Sequence, residues 1–303
     1  MSVVVFGSIN LDLIAQIDKI PGAGETRLAK SLLTSPGGKG ANQALAARRM
    51  GAEVTLIGRV GDDAFAMQAL RILRQDGVDL SHIGVSRRYS TGLAFITVEE
   101  TGQNAITVVS GANYELGTDA LGRLEHILKP EDVLVMQAEI PFDVIERAII
   151  IARRIGSQVL WDPAPASPHF PHGLFHVDVI APNQNEAALL LGTSITDVRS
   201  AKAAARQLRA LGAQIAIVKL GAQGLVWATS HGVFYDPGVA VNAVDAVGAG
   251  DAFLGALAAR LDAKDPLAQA IKVANHCAAL STTQKGAQSS FPWWKDVRTT
   301  MSE

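Results

Sequence analysis

The stretch VLVMQAEIPFDVIERAIIIARRIGSQVLW, residues 133–161, holds one complete strand–helix–strand unit. Val133–Met136 and Val159–Trp161 are short apolar runs, typical of strands buried on both faces of a parallel sheet. The apolar residues between these runs repeat at helical spacing: Val144, Ile145, Ala148, Ile149 and Ala152. Gly156 follows, where a helix C-cap is expected. The stretch therefore predicts a βαβ unit with parallel strands.

The same pattern recurs on both sides of this unit. Further apolar runs with β-branched residues are Val3–Phe6, Val54–Ile57, Val177–Ile180 and Ile215–Val218. Strands that alternate with helices predict an α/β fold: a doubly wound, mostly parallel sheet with helices on both faces. Ligands of such sheets bind beyond the carboxyl ends of the strands. Because no repeat or linker divides the chain, we predict one α/β domain over residues 1–303.

Two segments, at about residues 11–34 and 89–109, break the alternation. Both contain short stretches in which apolar and polar residues alternate, which is typical of strands and turns. A few strands without helices of their own cannot bury enough surface to fold alone. We therefore predict that they form a small β flap, or lid, over the site. Exposed strand edges in such a lid would pair with a second copy of the chain, so we also expect a homodimer.

The composition excludes several classes of protein. With 48% hydrophobic and 18% charged residues among 303, the chain is globular and not disordered. Its 27 Lys and Arg against 29 Asp and Glu give a net charge of -2, so neither nucleic acid nor an anionic membrane is an expected partner. Residues 239–259 are apolar enough to suggest a membrane span. However, Asp245 and Asp251 within them would each cost about 2.5 to 3.5 kcal/mol in a bilayer.

The single cysteine and the N-terminal residues bear on localisation. Cys277 can form neither an internal disulfide nor a cysteine-based metal site, which favours the reducing cytoplasm. The N-terminal residues read as a buried strand and lack the basic region of a secretory signal. We therefore expect a cytoplasmic protein.

The strongest chemical signal is NAVDAVGAGDAF, residues 242–253. Gly248, Ala249 and Gly250 precede a helical pattern, so their backbone N–H groups could bind phosphate oxygens. A carboxylate at Asp251 repels a phosphate, but it can accept the proton of a hydroxyl group that attacks that phosphate. We therefore interpret Asp251 as a catalytic base beside an anion hole. The alternative is an Asp that caps the helix, with glycines that allow close packing.

The second signal is GGKGANQA, residues 37–44, which enters an Ala-rich helix. It is not a Walker A loop, because Leu33 occupies the position of the first glycine and Gly40 stands where Ser or Thr must hold magnesium. Neither glycine-rich stretch completes the G-x-G-x-x-G fingerprint of dinucleotide-binding sites. In the stretch that begins at Gly248, Phe253 occupies the position of the last glycine. A dinucleotide site is therefore disfavoured.

Polar residues near this motif could bind a small polar ligand. The glycines would bring backbone, Lys39 and Asn42 close to such a ligand. Asn10 and Asp12 follow the first strand at the same edge of the sheet and could bind sugar hydroxyl groups. Each of these residues could instead serve only as a turn or cap residue.

Taken together, the two motifs resemble the paired signatures of the ribokinase, or PfkB-type, carbohydrate kinase family. Further stretches occur in the order that the family has: GSINLD (7–12), MQAE (136–139), DPAPA (162–166), APNQNE (181–186) and KGAQ (285–288). The likeness covers nearly the whole chain. It implies a ribokinase-like fold and an ATP-dependent sugar kinase.

The resemblance also implies a role for each matching residue. Sugar contacts are implied for Asn10, Asp12, Gly38, Lys39, Asn42 and Glu139, with Asp251 as the base on the sugar hydroxyl. ATP contacts are implied for Asn183, Lys219, Gly221, Gly224, Gly250 and Asn275, the last near the adenine. Glu186 is implied to hold Mg²⁺ through water. K⁺ or another monovalent cation is implied at Asp245, Val247, Ser281, Gln284, Gly286 and Ser290.

The implied reaction transfers the γ-phosphate of Mg-ATP to the primary hydroxyl of a pentose, with D-ribose as the expected substrate. The alternatives are a kinase for deoxyribose, a ketohexose or a nucleoside, and a non-catalytic sugar-binding protein on the same fold. Two positions depart from the family pattern. Ala246 stands where many relatives have Thr. Lys219 also replaces a frequent Thr, and its side chain would either take over a hydroxyl contact or point outward.

Overall fold

The computed structural model describes residues 2–101 and 103–302. Gly102, within the predicted lid, and residues 1 and 303, the ends of the predicted domain, lie outside the described residues. The strands are β1 (Val3–Phe6), β2 (Asn10–Ile17), β3 (Ser31–Gly37), β4 (Val54–Gly61), β5 (Ile83–Ser86), β6 (Gly92–Glu99), β7 (Asn104–Val109), β8 (Val133–Gln137), β9 (Gln158–Asp162), β10 (Val179–Ile180), β11 (Ile215–Lys219), β12 (Leu225–Thr229) and β13 (Gly232–Asp236). The helices are α1 (Lys39–Arg49), α2 (Ala64–Ala69), α3 (Arg71–Gln75), α4 (Thr118–Ile127), α5 (Phe142–Ile155), α6 (Gln184–Leu191), α7 (Val198–Ala210), α8 (Ala249–Asp262), α9 (Leu267–Ser281) and α10 (Trp294–Ser302).

The large sheet has the strand order β13-β12-β11-β10-β9-β8-β1-β4-β5. The strands from β11 to β5 pair in parallel, and β12 and β13 are added antiparallel at one edge. The predicted strand at 177–180 is shorter than expected, because the N–H of Val177 closes a turn onto the carbonyl of Phe175. The predicted helix before Gly156 is confirmed as α5, with Gly156 as its left-handed C-cap.

Helices cover both faces of this sheet. Along β1, Val3 and Val5 pack on one side with α1, α8 and α9, while Val4 and Phe6 pack on the other with α4, α5 and α7. All four side chains are buried, as expected for a strand that lies between two layers of helices. The predicted doubly wound α/β fold is therefore confirmed.

Helices α1 and α8 approach each other closely at Gly255. A Cβ atom placed on Gly255 would lie 2.5 Å from the carbonyl oxygen of Gln43 and 2.6 Å from the Cβ of Ala46. Glycine is therefore the residue that allows this approach. The contact sets the first turn of α1 beside the first turn of α8, although the two are about 200 positions apart in the sequence.

A separate, smaller sheet has the order β3-β2-β6-β7. Strand β2 pairs with β3 in the antiparallel and with β6 in the parallel sense, and β7 pairs antiparallel to β6. Because β2 begins four positions after β1 ends, this sheet rises from the carboxyl edge of the large sheet. The predicted second sheet is confirmed. Residues 239–248 form a loop and residues 249–259 belong to α8, and no helix in the described part of the chain is long and apolar enough to cross a membrane.

Candidate active site

The N-terminus of α8 forms the centre of the candidate site. Gly248 is its N-cap with φ 78°, and a Cβ there would lie 2.8 Å from the Cβ of Ala287, so only glycine fits both the conformation and the space. The first N–H groups of a helix have no partner within the helix and favour an anion. One of them, from Ala249, instead donates to the carbonyl of Ala246 at 3.2 Å. The N–H groups of Gly250 and Asp251, in the same first turn, are therefore the ones best suited to bind an anion.

Asp251 is held from outside its own helix. Its Oδ2 accepts a hydrogen bond from Asn42 Nδ2 and its Oδ1 accepts one from Gln43 Nε2, both at 2.9 Å. It lies in the first turn of α8, where Gly248 is already the N-cap, so it is not a capping residue. Burial raises the pKa of Asp251 above its ordinary value, against the opposing charge of Lys39. A buried, oriented carboxylate of raised basicity is suited to accept a proton.

Three residues without a predicted role complete this network. Gln43 Nε2 also donates to Asp162 Oδ2 at 3.0 Å, and Gln137 Nε2 donates to Gln43 Oε1 at 2.7 Å. All three side chains are buried, at the end of a strand or the start of a helix. The signal that could have found them was their position inside the quoted motifs GGKGANQA, MQAE and DPAPA.

The predicted sugar residues cluster on the other side of Lys39. Glu139 Oε2 accepts hydrogen bonds from Ser8 Oγ at 2.5 Å and from the backbone N–H of Lys39 at 3.1 Å. Asn10 Oδ1 accepts one from Asn113 Nδ2 at 2.7 Å. Asn113 is fully buried and also bonds both backbone groups of Ile9, so it orients Asn10. Sequence reasoning missed Asn113, which lies outside every motif quoted above.

Charges are concentrated in this cluster. Burial would lower the pKa of Lys39, but the negative charges of Asp251, Asp162 and Glu139 outweigh it and raise that pKa. Burial, together with the nearby Glu139 and Asp251, raises the pKa of Asp12 to about 7. The Asp12 carboxyl oxygens lie so close to Gly37 that a Cβ there would be 2.5 Å away from them. The cluster offers several carboxylate acceptors around one ammonium group, which suits a polyhydroxylated ligand.

A cavity of about 240 Å³ opens beside Asn10 and Glu139. Val108 of β7 lines it from the small sheet, and Tyr114 and Phe142 line its apolar side. At about 30 Å³ per water molecule, it has the volume of several waters, which is the scale of a small ligand. The cavity therefore lies between the small sheet and the polar cluster.

Asn183 and Glu186, in the quoted stretch APNQNE, form a capping box at the start of α6. Asn183 Oδ1 accepts from the N–H of Glu186 at 2.9 Å, and Glu186 Oε2 accepts from the N–H of Asn183 at 2.7 Å. Burial raises the pKa of Glu186, and the negative charge of Asp162 adds to this effect. The capping box explains the spacing of the motif and sets the Glu186 carboxylate near that of Asp162.

Two carboxylates fit the Mg²⁺ that the family implies. Asp162 Oδ1 is buried and accepts no hydrogen bond from the described residues, and Glu186 is its nearby acidic neighbour. Carboxylate oxygens are the ligands that Mg²⁺ prefers. Within residues 2–101 and 103–302, no group of three or more His, Cys, Asp or Glu is placed to hold a metal ion. Mg²⁺ would therefore rely largely on phosphate oxygens and water.

The predicted nucleotide residues lie beyond β11. Lys219 ends β11, and a short turn at Gly221–Gln223 with Gly224 follows it. Asn275 Nδ2 donates to Asp236 Oδ1 at 2.7 Å and to the carbonyl of Pro237 at 2.9 Å. Both amide hydrogens of Asn275 therefore hold the loop after β13, which leaves only its Oδ1 available to a nucleotide.

Lys219 points inward. Its Nζ lies 3.6 Å from Asp162 Oδ1, and a Cβ placed on Gly250 would lie 3.3 Å from that Nζ. The Lys219 side chain therefore does not point outward. It faces the N-terminal end of α8.

The residues predicted for a monovalent cation lie at the end of α9 and on the two joined loops that precede α8 and follow α9. Asp245 Oδ1 accepts from the N–H of Val247 at 3.0 Å, and its Oδ2 accepts from the N–H of Gly286 at 2.9 Å. Ser281 and Ser290 are buried and donate to the carbonyls of Ala278 and Ala287 at 2.8 and 2.9 Å, whereas Gln284 is exposed. Their hydroxyl, carbonyl and carboxylate oxygens are the donor type that a hard cation requires.

Comparison with known proteins agrees with this fold. The family model described as pfkB family carbohydrate kinase matches residues 1–294, and the chain therefore belongs to the pfkB family of carbohydrate kinases. The expected enzyme class, an ATP-dependent sugar kinase, is thereby confirmed over a non-catalytic sugar-binding protein.

Individual relatives are similar over almost their full length. The chain is 35% identical over 291 residues to the ribokinase of Haemophilus influenzae, covering 96% of this chain and 95% of that one. It is also 35% identical over 293 residues to the deoxyribokinase of Salmonella typhi, covering 96% of both. The solved structure of Arabidopsis thaliana ribokinase complexed with ribose and ATP superimposes with a TM-score of 0.91 at 28% identity, covering 100% of this chain and 99% of that one.

Proposed function

We propose that this enzyme transfers the γ-phosphate of Mg-ATP to the primary hydroxyl group of D-ribose and produces ribose 5-phosphate. The observation that carries the proposal is the position of Asp251, a buried carboxylate held by Asn42 and Gln43 at the N-terminus of α8. Relatives named ribokinase, one of them solved with ribose and ATP, support ribose as the acceptor.

The proposed step follows from the geometry of the two helix ends. Ribose lies among Asn10, Asp12, Glu139 and the backbone of Gly38, and its primary hydroxyl faces Asp251. The hydroxyl oxygen forms a bond to the γ-phosphorus as the bond to the bridging β,γ-oxygen breaks, and ADP leaves. Asp251 accepts the hydroxyl proton late in this step, because the transition state of phosphoryl transfer is loose. The N-terminus of α8 stabilises the charge on the transferred group.

Two cations support the reaction in this proposal. Glu186, with Asp162 beside it, would hold Mg²⁺ through water, and the ion would neutralise charge on the ATP phosphates. A monovalent cation, K⁺ or a similar ion, would be held by oxygens of Asp245, Val247, Ser281, Gln284, Gly286 and Ser290. The two loops that Asp245 joins flank Gly248, so a cation there strengthens the anion hole without touching the phosphate.

Deoxyribose is the second candidate substrate, because the deoxyribokinase of Salmonella typhi is as similar to this chain as the ribokinase of Haemophilus influenzae. The two sugars differ in one hydroxyl group. A site that hydrogen-bonds this group discriminates strongly against the sugar that lacks it. The ratio of kcat/KM for ribose and deoxyribose therefore decides between the two substrates.

The test replaces the proposed base and follows ADP release over ribose, deoxyribose, a ketohexose and nucleosides. Asp251→Asn is expected to lower kcat for the preferred sugar by about 10² to 10⁴, since it removes the proton acceptor and keeps the shape. Asp262→Asn, at the other end of the same helix, is the matched control and is expected to leave kcat unchanged. Unchanged turnover in Asp251→Asn would disprove the role of Asp251, and ADP release with nucleosides alone would disprove the ribose assignment.

We also propose that the chain forms a homodimer through the small sheet. The strand register sets Leu33, Ile14, Ile96 and Ile106 side by side in one row across all four strands. Leu33 and Ile106 are 54% and 56% exposed. A second copy of the same face would cover this apolar row.

A cytoplasmic location is proposed as well, since Cys277 is buried as a free thiol and requires no oxidising compartment.

A further inference from the structure

Lys219 carries a buried positive charge beside the N-terminus of α8. Its side chain is only 14% exposed, and its Nζ also lies 5.9 Å from the ring centroid of Phe253, within the first turns of α8. A Cβ on Gly250 would lie 3.3 Å from this Nζ. The ammonium group therefore stands next to Gly250, one residue before the carboxylate of Asp251.

The hydrogen-bonding capacity of this ammonium group is unused in the described structure. Its ion pair with Asp162 Oδ1 spans 3.6 Å, which is longer than a hydrogen bond, and Asp162 Oδ1 accepts no hydrogen bond from the described residues. An ammonium group has three donors. All three can therefore turn toward a ligand, while Asp162 stays oriented through its other oxygen by Gln43.

Gly250 and Asp251 locate the part of ATP that Lys219 can reach. In the proposed reaction, the transferred γ-phosphoryl group lies between the carboxylate of Asp251 and the backbone N–H groups of Gly250 and Asp251. Lys219 Nζ borders the same space. A phosphoryl oxygen bound there would lie beside a buried cation, and a charge-assisted hydrogen bond of this kind is about twice as strong as a neutral one.

We propose that Lys219 is a catalytic residue that donates a hydrogen bond from Nζ to an oxygen of the transferred γ-phosphoryl group. The inference rests on the proposed function and assigns a phosphate contact within it. When ATP is absent, the charge of Lys219 is balanced by Asp162, and when ATP binds the phosphoryl oxygen takes up the free donors.

The experiment measures binding and turnover in three variants. Lys219→Met keeps the length of the side chain and removes the charge. Lys219→Met combined with Asp162→Asn removes both members of the ion pair, so that Asp162 is not left as a buried unpaired charge. Lys295→Met, an exposed lysine of α10, is the control. Calorimetry gives Kd for ADP and for the non-hydrolysable imido analogue of ATP, each with Mg²⁺, and a coupled assay gives kcat.

We expect both Lys219 variants to lose about tenfold or more in affinity for the ATP analogue, to lose much less for ADP, and to lose about 10² in kcat. The control is expected to match the wild type. If the ratio of the two Kd values stays at the wild-type value in both Lys219 variants, the proposal is overturned, and Lys219 is only the counter-ion of Asp162. The binding measurements need no sugar. A wild-type enzyme that did not phosphorylate ribose would therefore refute the proposed substrate without affecting this test.

Discussion

At the scale of single residues, the site is a chain of buried amides between carboxylates. Gln43 donates to Asp251 and to Asp162 from the same nitrogen, and Gln137 fixes the orientation of Gln43 by donating to its oxygen. Amide groups cannot titrate, so they hold two acidic groups at a fixed geometry without changing their protonation. This arrangement keeps the proposed base oriented while its pKa is raised by burial.

Asp12 makes sugar binding depend on pH. Its pKa is raised to about 7, by burial first and then by Glu139 and Asp251. If its carboxylate accepts hydrogen bonds from the sugar, ribose binds best when Asp12 is ionised, and affinity rises as pH increases through about 7. Calorimetric titration of ribose between about pH 5.5 and 8.5 measures this. In Asp12→Asn the dependence on this group should disappear; a wild-type profile that is flat across pH 7 would contradict the prediction.

The raised pKa of Asp12 also lowers the free energy of unfolding at neutral pH. Because the pKa of Asp12 is higher in the folded than in the unfolded chain, the unfolded state ionises first as pH rises. The contribution of Asp12 to the free energy of unfolding therefore falls progressively from about pH 4 to about pH 7. It stays low above that range.

At the scale of secondary-structure elements, the contact between α1 and α8 determines whether the base meets its partners. Gly255→Ala would set a Cβ 2.5 Å from the carbonyl oxygen of Gln43 and force the helices apart. We expect a loss of about 1 to 3 kcal/mol in the free energy of unfolding, together with reduced kcat. Urea denaturation and the ADP assay measure the two effects.

A matched control lies in another helix. Gly122 is an interior residue of α4, and a Cβ there would meet no atom within 4 Å. Gly122→Ala is expected to be neutral or to stabilise the fold by about 0.5 to 1 kcal/mol, because it only restricts the unfolded chain. Equal effects of the two substitutions would show that the close approach of α1 and α8 is not what Gly255 provides.

At the scale of the whole molecule, the small sheet is the surface that the proposed dimer would use. We expect the protein to sediment as a dimer at micromolar concentration. Ile106→Asp sets a charge at the β7 end of the apolar row and is expected to give monomers. Ile150→Asp, at a similarly exposed isoleucine on α5, is the control and should remain dimeric. A wild-type monomer in analytical ultracentrifugation would count against the proposal.

The fold class was predictable because its signals are local. Apolar runs such as Val133–Met136 and the helical spacing before Gly156 depend on neighbours a few positions away, so periodicity alone indicates a parallel α/β sheet. The glycine-rich stretch before Asp251 is local in the same sense. It predicted a helix N-terminus with a carboxylate in the first turn, and the structure has one.

The assembly of the site required the tertiary structure. Gln43 and Asp251 are 208 positions apart, and Asn113 is 103 positions from Asn10, so no spacing in the sequence records that these side chains share hydrogen bonds. The sequence likewise did not determine the orientation of the Lys219 side chain, because a side chain at the end of a strand can face inward or outward. By itself the sequence determined the kind of fold and the motifs at its strand ends, because these depend on short-range patterns. The packing of α8 against α1 and of β11 beside β10 decided which side chains meet, because those distances exist only once the sheet has formed.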